Sequence, residues 1–108
     1  MRLCPSVWRR LAAATVIGAV LPAAAQDASA LRQQALAATC ANCHGTQGRA
    51  VDGAAVPGLA GMPAAYIVEQ LKAFKAGTRP ATVMQQLAKG FSDSQVEQVA
   101  AYFAAQKP

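Results

Sequence analysis

The segment TCANCHGTQG, Thr39–Gly48, places Cys40 and Cys43 two residues apart with His44 directly after. Three chemistries use such a pair: a zinc corner, a redox dithiol, and covalent attachment of a haem. A structural zinc site takes four protein ligands. Beyond residue 25 the chain offers two cysteines and one histidine, so a second ligand pair is missing. A thioredoxin-like dithiol needs its motif at a helix start after a strand, where the helix dipole lowers the thiol pKa. Here the motif closes a helical segment, and no βαβ pattern surrounds it. The third reading fits every residue, because C-x-x-C-H is the attachment signature of c-type haem. Two thiols add across the two vinyl groups of the ring. One helical turn spaces Cys40 and Cys43 for this, and His44 then faces the iron as an axial ligand.

The N-terminus agrees with that chemistry. MRLCPSVWRR carries Arg2, Arg9 and Arg10 and no acid, an apolar run from Leu11 to Leu21 follows, and small residues stand at Ala23 and Ala25. This is the three-part pattern of a secretory signal peptide. We expect residues 1–25 to be a cleaved leader and residues 26–108 to form one domain. The apolar run is shorter than the roughly 20 residues that a spanning helix needs, so no stable membrane anchor is expected after cleavage. Export implies a periplasmic location, outside the cytoplasm, where c-type haem is attached. Cys4 leaves with the leader.

The formal charge of +5 over 108 residues owes three arginines to the leader. What remains is close to neutral, and two haem propionates would bring it closer still. The charge therefore gives no reason to expect nucleic-acid binding. The domain is alanine-rich, with few large side chains and a size at which a hydrophobic core alone is marginal. A bulky apolar group at its centre would explain how it folds.

The pattern is all-α. A first helix is expected from Asp27 or Ser29 into the CANCH segment, with Leu31, Ala35 and Ala38 on its buried face and Arg32 and Gln33 outward. Gly45 can end it. The glycine-rich stretch 45–61, with Pro57, reads as a loop long enough to be wrapping something. A second helix opens at Pro63 and closes near Gly77, burying Ile67, Leu71 and Phe74. A short helix runs through ATVMQQLAK to Gly90. In the last, Ser92 and Gln95 fit a capping box, Phe91 and Val96 a hydrophobic staple, and Val96, Val99, Ala100 and Phe103 a buried stripe. There is no internal repeat and no second CXXCH.

The chain has one histidine, so a sixth iron ligand must be another residue type. Met62 and Met84 are the candidates; a thioether favours ferrous iron and raises the potential, as suits electron transfer. Each also reads as a flexible core filler, and spacing alone does not choose between them.

CANCHG, VPGLAG, AAYIVEQLKAFKAGTRP, VMQQLAKGFSD and VAAYFAAQ follow one another in the order of the small bacterial class I cytochromes c, which the domain resembles throughout. The resemblance implies three to five helices wrapped around one covalently bound haem c. It implies that Pro57 supplies the carbonyl that accepts from the ring of His44, and that Met84, between GTR and LAKGFSD, is the axial methionine. Related chains commonly carry glutamine where this one has Met62. The resemblance also brings the terminal helices together, with Leu31 and Ala35 near Val99 and Phe103. Arg79 is placed either to pair with a haem propionate or to stay solvated.

The C-terminal half further resembles the cytochrome subunit of flavocytochrome c sulfide dehydrogenase. This implies an electron-transfer role beside an FAD-containing flavoprotein subunit that oxidises sulfide, with no catalytic residue in the chain itself. A free periplasmic shuttle between respiratory complexes is the alternative, and a ligand-binding sensor haem a more distant one. Lys72, Lys75, Arg79 and Lys89 are candidates for steering an acidic partner.

Overall fold

The computed structural model describes residues 21–108, with side chains from residue 27 onward. Residues 1–20, which hold the charged and most of the apolar part of the expected leader, lie outside the described residues. Among the described residues there are four α-helices and no strand: α1 Leu21–His44, α2 Ala64–Ala76, α3 Met84–Lys89 and α4 Asp93–Ala104. A 3-10 turn, Thr46–Gly48, follows α1. No described helix is long and apolar enough to cross a membrane.

α1 begins ahead of the expected caps Asp27 and Ser29, both of which lie within it. The alanine-rich stretch around them has high helix propensity, so neither side chain marks a boundary. Its buried face is also not the one expected. Leu31 is 65% exposed, and Ala35 and Ala38 are exposed too. Ala37 and His44 are buried, with Leu36 and Cys40 half-buried. Gln33 turns inward, its side-chain amide donating to the carbonyl of Gln98 on α4 at 2.9 Å. Residues 33, 37, 40 and 44 recur at helical spacing. The phase of α1 is thus that of Cys40 and His44, not that of Leu31.

α2 and α4 follow the pattern more closely. α2 ends on Gly77 in the left-handed conformation (φ 77°). The N–H of Thr78 bonds the carbonyl of Ala73 at 3.0 Å and that of Gly77 the carbonyl of Phe74 at 3.1 Å, which satisfies the last carbonyls of the helix. α4 carries a complete capping box between Ser92 and Gln95. Its buried stripe is Val96, Val99, Ala100 and Phe103. α3 starts at Met84, leaving residues 78–83 extended or bent.

α4 packs on both α1 and α2, and α3 packs on α2. The core is small: Ala37, Ile67, Val99, Ala100 and Phe103, flanked by half-buried Leu36, Leu59, Leu71, Phe91 and others. Phe103 is its largest fully buried side chain. The loop after α1 closes against it. Gly48 sits at φ 79°, and a Cβ there would lie 2.8 Å from Cδ1 of Phe103 and 2.9 Å from the nitrogen of Ala60. Only glycine allows that approach.

Candidate functional site

α1 delivers Cys40, Cys43 and His44 to one end of the bundle. Gly45, at φ 83°, turns the chain away at once. A Cβ at Gly45 would lie 1.9 Å from the carbonyl oxygen of Arg49, so the turn that follows His44 requires glycine. The loop returns Pro57 beneath the imidazole, and Nδ1 of His44 lies 2.6 Å from the carbonyl oxygen of Pro57. A carbonyl can only accept, so Nδ1 carries the proton and donates. That fixes the neutral tautomer and leaves Nε2 for a metal.

His44 lines a cavity of about 450 Å³ together with Cys43, Pro57, Leu59, Met62, Tyr66, Phe74, Arg79 and Met84. A second lobe of about 210 Å³ runs past Thr39, Cys40, Phe91 and Val99. The two lobes share Cys43, Leu71, Met84 and Leu87 as walls. No disulfide joins the two cysteines; Cys43 is exposed and Cys40 half-buried. Burial pushes the Cys40 thiol up; contact with Thr39 works against this, and neighbouring Cys43 adds to it.

Two thiols, one oriented imidazole and mostly apolar walls fit a flat, hydrophobic, covalently tethered macrocycle. They fit a zinc ion poorly: among the described residues, no three His, Cys, Asp or Glu side chains are grouped to hold a metal ion.

The two methionines occupy different ground. Met84, at the start of α3, borders both lobes. Met62 borders only the larger one and packs against the core cluster. Among the described residues, Arg79 is the only lysine or arginine in either wall. Its guanidinium stacks over the Phe74 ring at 4.6 Å from the centroid and donates to the Gln70 side chain. The backbone carbonyl of Arg79 accepts from the Gln85 amide at 3.1 Å.

Lys75 is not the free surface cation expected from the sequence. Its Nζ donates to the carbonyl of Phe91 at 2.7 Å and reaches Asp93 at 3.2 Å. Sequence reasoning missed this tie and the Phe74–Gln70 seat of Arg79. Neither has a local signal, since each joins residues that only the folded backbone brings together.

The helical bundle, the CXXCH end of α1 and the apolar cleft define a haem-binding electron-transfer protein. The chain belongs to the cytochrome c family, whose model matches residues 30–107, and accordingly carries one covalent haem c. It is 38% identical over 100 residues to the thiosulfate dehydrogenase electron acceptor of Thiomonas intermedia, covering 93% of this chain and 45% of the relative. It is 38% identical over 72 residues to the cytochrome subunit of sulfide dehydrogenase of Chlorobaculum tepidum, covering 67% of this chain and 64% of that protein. The cytochrome c4 structure of Acidithiobacillus ferrooxidans superposes with a TM-score of 0.61 at 35% identity, covering 75% of this chain and 48% of that one. The chain thus spans about half the length of several relatives it matches. The resemblance seen in its motifs and the all-α class I fold are both upheld.

Proposed function

We propose that residues 26–108 act in the periplasm as a one-electron carrier whose haem is joined to Cys40 and Cys43 and bound axially by His44 and Met84. The observation that carries this reading is the His44–Pro57 bond at 2.6 Å, which commits Nδ1 and leaves Nε2 available to iron on a residue that lines the cleft. When bound, the haem supplies the reversible ferric–ferrous couple. The chain contributes the rest: two covalent tethers, an oriented imidazole, and a soft thioether that raises the potential. Met84 is preferred over Met62 because it borders both lobes of the cleft, whereas Met62 is engaged with the core. Arg79 offers the cleft a positive charge suited to a propionate.

The electron donor in this reading is an FAD-containing, sulfide-oxidising subunit, supported by the likeness to the sulfide dehydrogenase cytochrome subunit. A free shuttle is a second reading, favoured by the likeness to thiosulfate dehydrogenase electron acceptors and cytochrome c4. Purification of the native protein distinguishes them. A stoichiometric flavoprotein that survives high salt supports the subunit; a protein that elutes alone and meets its partners only at low salt supports the shuttle. Exposed Lys72 and Lys89 remain as steering charges in either case.

A further inference from the structure

Met84 stands in a segment, residues 78–92, that crosses from the end of α2 to the start of α4. At its first end the segment is tied by its own backbone. The N–H groups of Thr78 and Arg79 both reach the carbonyl of Ala73, at 3.0 and 3.2 Å. In its middle, the Gln85 side chain bonds the carbonyl of Arg79. At its far end the tie comes from Lys75, on the last turn of α2, whose Nζ donates to the carbonyl of Phe91 at 2.7 Å.

The geometry points to Lys75 as a positioning residue for the sixth iron ligand: its bond to the Phe91 carbonyl clamps the far end of the Met84 segment onto α2 and keeps that wall of the cleft closed. This rests on the reading of Met84 as the ligand. Phe91 itself lines the smaller lobe beside Met84, so release of its backbone loosens the wall where the thioether sits. Lys75 is partly sheltered, with its side chain 33% exposed, whereas Asp93 is 77% exposed. The ion pair with Asp93 is therefore screened by water and contributes little. The charge-assisted bond to the carbonyl is the one that holds.

The test is imidazole binding to the ferric holoprotein, followed by stopped flow at saturating imidazole, where the rate reports opening of the methionine side. Discounted for the partial exposure of Lys75, loss of this hydrogen bond corresponds to roughly a five- to tenfold change in an opening equilibrium. Lys75→Met should therefore bind imidazole about five- to tenfold faster. Asp93→Asn should stay within about twofold of the parent. Gln33→Ala removes a tertiary hydrogen bond on the α1–α4 side and reports general loosening; it too should stay near the parent rate. A Lys75→Met rate equal to the parent, or a matching acceleration in Gln33→Ala, overturns the inference. Met84→Ala separates the two claims. If it shows an open sixth site while Lys75→Met is silent, only the clamp fails. If it keeps the parent spectrum, the ligand reading fails and the clamp with it.

Discussion

Nδ1 of His44 and the carbonyl oxygen of Pro57 lie 2.6 Å apart, across a loop whose turn only glycine at position 45 permits. With iron on Nε2, as proposed, this bond would make the imidazole a stronger donor and favour the ferric state. Pro57→Ala keeps the carbonyl but frees the backbone φ. Stability should fall by about 0.4–1 kcal/mol through the unfolded chain. The looser bond should raise the midpoint potential slightly. Protein-film voltammetry and urea unfolding measure the two separately; an unchanged potential would mean that the loop is held without the proline.

With Met84 as the proposed sixth ligand, Met84→Ala should lower the potential and let the ferrous protein bind carbon monoxide, because a soft ligand that favours ferrous iron would be lost. Met62→Leu, a swap of similar volume in a half-buried position, should cost less than about 1.5 kcal/mol and leave the spectrum as it was. If the two outcomes are reversed, the ligand is Met62.

Arg79→Gln removes a positive charge from the cleft wall. A nearby positive charge favours the reduced iron, so the potential should drop, most visibly at low ionic strength. Arg79→Lys should recover part of the charge effect but not the stacking on Phe74, since an ammonium lacks the planar guanidinium. Potentiometric titration of the three proteins at two salt concentrations checks the order.

Phe103→Ala should destabilise the holoprotein by about 3–5 kcal/mol. Phe103 is 1% exposed, and Gly48 packs directly on its ring. The variant should therefore also disturb the loop that carries Pro57. Denaturant unfolding gives the first effect, and the histidine-side haem signals in NMR give the second.

Much of this architecture was legible in the sequence. The CXXCH segment, the Gly77 stop, the Ser92–Gln95 capping box and the Val96–Phe103 stripe all rest on short-range rules that the fold obeys. The phase of α1 was not legible. Alanine is equally at ease on either face, and of the two leucines near its middle Leu31 points to water while Leu36 packs against the core. The rest of the inward face belongs to Gln33, Ala37, Cys40 and His44, a set that hydrophobicity alone does not select. Lys75 was misread for a related reason. A lysine on an amphipathic helix ordinarily faces solvent, and its two oxygen partners lie 16 and 18 residues further on. The pairing of His44 with Pro57 was implied by family likeness, whereas residue spacing alone did not reveal it.

α4 has a mechanical consequence. At its C-terminal end, the carbonyl of Phe103 receives the N–H of Gly61 at 2.9 Å, and its ring supports Gly48. At its N-terminal end, the methionine-side segment runs through the Ser92 cap directly into the helix. The histidine-side loop and the methionine-side segment are thus moored to opposite ends of one helix of 12 residues. A sideways push on that helix is felt at both moorings together.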